Sequence, residues 1–131
     1  MRYTIPTGAT RPLYCSAAGR VMLAFQELAW QEAFLARTRL AAMTPRSVTD
    51  PAELRRMLAE IRRTGISVSF EEAIPGAGGI AAPIFNPDGS VTASLLIGGP
   101  ADRLRRDEAR LREILSRVAR RTNAALGHPG P

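Results

Sequence analysis

The sequence predicts a single α+β domain, in which a small antiparallel sheet of three or four strands carries helices mostly on one face. Segments of helical periodicity open and close with capping residues, and two apolar runs flank a tight turn, as in a β-hairpin. With 131 residues, 45% of them hydrophobic, the chain can bury one core but has little room for a second. The predicted order is one strand, three helices, three strands and a final helix.

The first half of the chain contains most of the predicted helices. Ser16 can cap a helix that continues to about Leu28, since its hydroxyl can accept from free backbone amides. The clearest helix start is Asp50-Pro51-Ala52-Glu53, and Gly65 is suited to end that helix. The remaining predicted elements of regular structure are a strand at Arg2–Thr7, a helix at Leu28–Arg37, a strand at Ile66–Glu72 and a helix from near Arg106 to Leu126.

The hairpin is the most informative segment. The acidic pair Glu71-Glu72 leads into a glycine-rich loop and a strand, which turns at Asn86-Pro87-Asp88-Gly89 and returns to end at Gly98-Gly99-Pro100. We expect the glycine-rich loop to be flexible and able to close over a small ligand. Function is therefore expected near this hairpin.

The charge pattern does not by itself predict nucleic-acid binding. The net charge is +6, and all 18 basic residues are arginine. They occur mainly as pairs on two amphipathic helices, interleaved with glutamate, which favours a solvated helix face and leaves an oligomer contact or a DNA surface as alternatives. Aromatic residues that could stack on bases do not alternate with them.

Enzyme chemistry and metal binding find little support in the sequence. The only histidine, His128, lies in a predicted tail, so it cannot join a serine or cysteine in a core catalytic site. Cysteine, histidine and the carboxylates lack metal-ligand spacing, and we expect no metal and no cofactor. Either Glu71 or Glu72 could serve as a general base, but strand neighbours point to opposite faces, so at most one enters a pocket. A solvated or paired strand end is the alternative.

Two features bear on location. No apolar run could span a bilayer, and the N-terminus does not resemble a secretion signal. Cys15 is the only cysteine, which agrees with a reducing compartment and with a role as a small buried residue rather than a reactive sensor. We therefore expect a soluble cytoplasmic protein without membrane contact.

Several motifs in order resemble the C-terminal effector-binding domain of IclR-family bacterial transcriptional regulators. The likeness extends from about Tyr3 to Ala125 and is carried by Pro12 to Phe25, with its Gly-Arg-x-x-Leu-Ala core, by Thr44 to Asp50, Arg63 to Ile66, Glu71-Glu72, Gly79 to Phe85 and Gly99-Pro100. The resemblance implies a GAF-like antiparallel sheet with flanking helices that lacks the first strands of the domain. It makes 1–126 an effector-binding domain, and the short tail 127–131 is expected to be disordered because it is rich in glycine and proline.

The function implied by the resemblance is the sensing of a small organic effector. Such a domain would act on DNA only through a helix-turn-helix module, which is expected to be absent from this chain. The family also assembles through this domain, which implies a homodimer or a homotetramer, and Trp30 is either an interface anchor or a helix-core residue.

The effector site implied by the resemblance has eight positions. Ala17 and Ala18 match small residues at a helix start, where free amides suit a carboxylate or carbonyl. The other six are Tyr3 and Arg11 near the pocket mouth and, on the sheet, Ser69, Gly79, Leu96 and Gly98.

At these four sheet positions relatives often carry aspartate, cysteine or serine. Their loss implies a roomier and more apolar pocket, suited to a carboxylate with an apolar or aromatic body. Two alternatives remain: a structural dimerisation module without ligand, and a small histidine-independent enzyme.

Overall fold

Three antiparallel strands form the sheet of the computed structural model, which describes residues 5–128. The strands are β1 (Ser67–Phe70), β2 (Ala77–Phe85) and β3 (Val91–Pro100). They lie in the order β1-β2-β3, so β2 is central. The predicted α+β class and the hairpin of β2 and β3 are confirmed.

Five α-helices and one 3-10 turn surround the sheet in this part of the chain. A 3-10 turn at Leu13–Cys15 precedes α1 (Ala17–Ala24), and the other helices are α2 (Leu28–Arg37), α3 (Pro51–Thr64), α4 (Ala101–Arg106) and α5 (Glu108–Ala125). None of the helices between residues 5 and 128 is long and apolar enough to cross a membrane.

Helix α3 begins and ends at its predicted signals. The Asp50 side chain accepts from the backbone amide of Ala52 at 3.0 Å, and Pro51 occupies the first turn, where its missing amide costs nothing. Gly65 follows in the left-handed region with φ 74°, and its amide donates to the Ile61 carbonyl. Local chemistry thus accounts for this helix.

Helix α1 ends at Ala24 rather than near Leu28. The Gln31 side chain donates to the carbonyls of Ala24 and Gln26, both at 3.1 Å. Arg62 donates to the same two carbonyls at 3.2 and 2.9 Å. These two side chains satisfy the carbonyl of Ala24, the last residue of α1, and that of Gln26 just after it, which allows the chain to turn early into α2.

Helical structure after the hairpin begins at Ala101, earlier than the predicted start near Arg106. The helix is interrupted at Asp107, which has φ −105° and ψ 14°, so two helices form in place of one. The Ala101 amide donates to the Gly76 carbonyl at 2.8 Å, which ties α4 to the loop before β2.

Helices cover both faces of the sheet, which corrects the expectation that they lie mostly on one. Residues of α1 and α3, among them Leu54 of α3, form one core cluster with Ala81 of β2. On the opposite face Leu115 of α5 clusters with Ile80 and Ala82. All three of these β2 residues are at most 1% exposed. A central strand buried on both faces requires a layer on each.

The described range covers part of the expected N-terminal strand and, of the expected tail, only residues 127 and 128. Residues 2–4 of the predicted strand Arg2–Thr7 lie outside the described residues, and Ile5 to Thr7 adopt no strand. At the other end, Gly127 and His128 belong to the predicted tail but are described. The His128 ring stacks on Phe85 with centroids 4.7 Å apart.

Candidate functional site

A cavity of about 200 Å³ lies on the sheet face that α1 covers. Its wall combines the start of α1, at Ala17 and Ala18, with Ser69 of β1, Gly79 of β2 and Leu96 of β3. The loop between β1 and β2 lines another part of the wall. With Arg11, which also lines this cavity, six of the eight predicted site residues surround one space.

The strand register explains why residues distant in sequence meet there. Ser69 and Gly98 both pair with Gly79, and Leu96 pairs with Ala81. Because paired residues and residues two apart share a face, all of these positions face α1. Gly98 has this orientation but is exposed and lies beyond the cavity wall.

Gly79 keeps the cavity open and makes room for Leu96. A Cβ atom at Gly79 would lie 3.0 Å from Cδ1 of Leu96 and 3.4 Å from Cβ of Ala17. Any side chain there would displace Leu96 or fill the cavity. Leu96 is itself 49% exposed, so it forms an apolar wall on the open side.

The start of α1 lines the cavity and carries backbone donors that the helix does not use. The Ser16 hydroxyl accepts from the Gly19 amide at 3.0 Å, as the predicted cap requires. The amides of Ala17 and Ala18, in the first helical turn, have no intrahelical acceptor. These donors and the positive end of the helix dipole suit an anion or a carbonyl oxygen.

Two predicted positions remain, Arg11 and Tyr3. Arg11 lines the cavity but is exposed, and its guanidinium donates to the Thr10 carbonyl at 2.8 Å. Tyr3 lies outside the described residues. Arg11 is thus the cation that the described chain places at the mouth, held by a backbone contact that a ligand carboxylate could replace.

A buried ion pair beside the cavity was missed by the sequence analysis. Arg20 of α1 is fully enclosed, and its guanidinium binds Glu72 through both terminal nitrogens, one of them at 3.0 Å. Its Nε also donates to the Tyr14 carbonyl at 2.9 Å, and Nη1 lies 3.5 Å from the Val68 carbonyl. The available signal was an arginine among buried positions of α1, together with the acidic pair after β1.

Glu72 is the member of this pair that faces the cavity. Its side chain keeps 11% exposure and lines the cavity, whereas the Arg20 side chain is 0% exposed. The carboxylate therefore enters the pocket wall already paired, and it is not an unengaged general base.

Glu71 lies outside the cavity, on the rim of the same loop. It adopts φ 58°, which ends β1 at Phe70 rather than at Glu72. Its carboxylate accepts from Arg105 at 2.8 Å and from the Gly76 amide at 3.1 Å. The Arg105 hydrogen bond, followed by that of Gly76, holds the Glu71 pKa below its ordinary value.

The loop between β1 and β2 is tied down, contrary to the expected flexible flap. The Glu71 amide donates to Ala77 at 2.8 Å. Thr44 and Ser47 donate through their hydroxyls to the carbonyls of Glu71 and Glu72, at 2.6 and 2.5 Å. Fixed backbone partners on both sides make this loop a wall of the cavity rather than a lid.

Cys15 belongs to the cavity lining but is fully buried, as expected. Its thiol donates to the Pro12 carbonyl at 3.4 Å. Burial raises the pKa of the Cys15 thiol, and the Arg20 charge opposes this only in part. The protonated thiol therefore acts as a small apolar group.

Trp30 and the arginine pairs lie on the surface. Trp30 is 38% exposed, stacks on Phe34 with centroids 5.7 Å apart, and has the Arg37 guanidinium 5.6 Å from its ring centre. Exposed pairs such as Arg55 with Glu32, at 2.9 Å, fit the solvated helix faces inferred from the sequence. Residues 5–128 contain no cluster of side chains that could hold a metal ion.

Comparison with known proteins gives a consistent assignment. The family model described as bacterial transcriptional regulator IclR, C-terminal, matches residues 1–124. The HTH-type transcriptional repressor AllR of Klebsiella pneumoniae is 34% identical over 128 residues, which cover 97% of this chain and 47% of that protein. The chain thus spans about half the length of the curated relatives it matches. Because these relatives are transcriptional regulators, the enzyme alternative is set aside.

Solved structures share the fold. A transcriptional regulator of the IclR type from Silicibacter sp. TM1040 has a TM-score of 0.86 and 30% identity, covering 100% of this chain and 52% of that one. The inducer-binding domain of PobR from Acinetobacter, a double mutant in complex with 3-hydroxybenzoic acid, has a TM-score of 0.79. Its identity is 23% over 86% of this chain and 66% of that one, a likeness of fold alone.

Proposed function

Because this chain belongs to the IclR family of bacterial transcriptional regulators, as a C-terminal domain, we propose that it senses a small organic acid. The proposed effector is a carboxylate with an apolar or aromatic body. In a regulator that also carries a helix-turn-helix module, its binding would change the action on DNA, and the domain would assemble as a homodimer or homotetramer.

The observation that carries this proposal is that the N-terminal end of α1, with its free amides, lines an apolar cavity. Ala17 and Ala18, whose amides have no acceptor within the helix, line the cavity, and Gly79 and Leu96 form apolar wall beside them. A ligand carboxylate would accept hydrogen bonds from these amides, and the carbon body of the ligand would pack against the apolar wall. Arg11 at the mouth adds a positive charge within the lining.

The size of the cavity limits the ligand. About 200 Å³ lies below the roughly 300–1,000 Å³ typical of drug-sized pockets. A single-ring or short-chain acid suits that volume. PobR, which shares the fold, is described with 3-hydroxybenzoic acid, a single-ring acid. The proposal for this chain depends on its own cavity, given the low identity.

A two-stage binding experiment tests the proposal. Thermal shift assays compare monocyclic aromatic and short aliphatic carboxylates with their neutral amides, for example benzoate with benzamide. A ligand present at a hundred times its Kd stabilises by about 2.7 kcal/mol, which such an assay resolves. We expect carboxylates to stabilise the domain and the amides to do so far less. Equal stabilisation by acid and amide, or none by any acid, would overturn the proposal.

A substitution at the helix start then locates the carboxylate. Ala18→Pro removes one amide donor in the first turn, where the helix does not use it, whereas Ala18→Gly retains the donor. We expect calorimetry to show weaker binding of the best acid to the proline variant and little change for the glycine variant. Circular dichroism of both variants checks that the fold is retained.

A further inference from the structure

We propose that the effector carries a hydrogen-bond donor in addition to its acid group, and that the Glu72 carboxylate receives this donor. The inference rests on the proposed acid-sensing function and narrows its ligand to hydroxy, amino or amide-bearing acids. It follows from the hydrogen-bonding capacity left on the polar groups of the cavity.

The Glu72 carboxylate has acceptor capacity that its ion pair does not use. A carboxylate has about four lone-pair sites, and Arg20 donates once to each of its oxygens. Within residues 5–128, these are the side-chain donors recorded for that carboxylate. Because Glu72 keeps the exposed surface of the pair and lines the cavity, its remaining capacity is open to a ligand.

Ser69 adds a second acceptor to the same wall. Its hydroxyl donates to the Cys15 carbonyl at 3.2 Å, in a buried contact. The hydroxyl proton is thereby used, and its oxygen can still accept. Ser69 and Glu72 thus both offer acceptors to the cavity, whereas Arg11 and the first amides of α1 offer donors.

This division of donors and acceptors orients the ligand. A ligand carboxylate beside Glu72 would meet a like charge, which disfavours that position. At the start of α1 the same carboxylate meets amides and a helix dipole. Part of the ligand body must then lie against Ser69 and Glu72. A hydroxyl, amine or amide N–H there gains a hydrogen bond to a charged acceptor, and an aliphatic group does not.

The size of the preference follows from that bond. A hydrogen bond to a charged group contributes enough to change affinity roughly ten- to a hundredfold. Sites built to bond a ligand hydroxyl discriminate strongly against the analogue that lacks it, because the polar group of the site is left without its partner. Here Arg20 still pairs Glu72, so we expect the lower part of that range.

The test compares acids that differ only in the donor. Calorimetry on the whole 131-residue chain measures 3-hydroxybenzoate against 3-methoxybenzoate and benzoate, and 4-hydroxybutanoate against butanoate. We expect the hydroxy acid of at least one series to bind tenfold or more tightly than its partners without a donor. The methoxy compound retains the oxygen and the ring, so it isolates the effect of the proton.

Variants assign the preference to Glu72. Glu72→Gln should reduce the ratio of the affinities for the hydroxy and the methoxy acid to threefold or less. Glu32→Gln, which removes an exposed ion pair with Arg55, should leave the ratio unchanged. If Glu72→Gln does not fold, the double variant Arg20→Met/Glu72→Leu removes the acceptor without leaving a buried charge unpaired. It should bind the hydroxy and methoxy acids with equal affinity.

The outcomes separate this inference from the proposed function. If acids bind but the donor changes affinity less than twofold in both series, the inference is wrong and acid sensing stands. If the ratio is large but survives removal of Glu72, the acceptor is another group and the inference is also wrong. If neither acid series binds at millimolar concentration, the proposed function is overturned and the inference is overturned with it.

Discussion

Breaking the ion pair between Arg20 and Glu72 should destabilise the domain strongly, whereas replacing both residues should not. The two side chains are 0% and 11% exposed, so each single substitution leaves its partner buried without a counter-charge. Removal of one member of a buried pair typically costs about 3–5 kcal/mol, a large part of the 5–15 kcal/mol that stabilises an ordinary domain. We therefore expect Arg20→Met and Glu72→Leu each to unfold at much lower urea concentration.

The double variant should recover the part of that loss that is due to the unpaired buried charge. Apolar replacement of a buried pair is often neutral, but here the carbonyls of Tyr14 and Val68 also lose the Arg20 donor. Each unsatisfied carbonyl costs about 1–3 kcal/mol, so the double variant should remain somewhat less stable than the parent. The coupling energy between the two sites should be at least about 3 kcal/mol.

Urea denaturation measured by circular dichroism and by the fluorescence of the single tryptophan provides the four free energies of the cycle. The exposed pair of Arg55 and Glu32 is the matched control and should show little coupling. If the singles are unfolded without urea, recovery of a cooperative transition in the double variant still demonstrates the coupling. A coupling below about 1 kcal/mol would refute the reasoning that burial makes this pair essential.

Three further predictions concern the cavity, its rim and assembly. Gly79→Val should weaken acid binding at least tenfold, about 1.4 kcal/mol, because a Cβ atom there would lie 3.0 Å from Leu96 and 3.4 Å from Ala17. Calorimetry should show that adding Leu96→Ala restores part of the affinity. The pKa of Glu71 is lowered, first by the hydrogen bond from Arg105. The charged carboxylate therefore stabilises the fold above pH 4.5, its ordinary pKa, and this contribution is lost as the pH falls through the lowered pKa. Glu71→Gln should therefore lose less stability than the parent in melts from pH 6 to pH 3, and parallel profiles would contradict this. Light scattering at micromolar concentration should give a dimer or tetramer, and a monomer would count against the proposed assembly.

Local signals in the sequence were sufficient for the elements whose causes are short-range. The start of α3 at Asp50-Pro51, its end at Gly65 and the turn at Asn86–Gly89 each depend on residues a few positions apart. The α+β class followed from these elements. Ser69 and Gly79 were supplied by the resemblance, and the strand pairing places them on one face of the sheet.

Part of the candidate site could be predicted for the same reason, once the family resemblance supplied the positions. Ala17 and Ala18 follow a capping serine, so their free amides were evident from the sequence. That Arg11 and Leu96 approach the same space depends on packing, and the cavity shows it directly. Whether these residues bind an effector stays a prediction.

Only the tertiary structure decided the features that depend on contacts distant in sequence. Arg20 and Glu72 are 52 positions apart, and neither shows in its own neighbourhood that it will be buried against the other. Arg62 helps to end α1 from 38 residues away. The second helical layer arises because β2 is buried on both faces, and the loop after β1 is held by hydroxyls from another segment. Sequence patterns report which groups a residue can satisfy locally, whereas the partner of a buried charge or a helix-end carbonyl is chosen only when the chain packs.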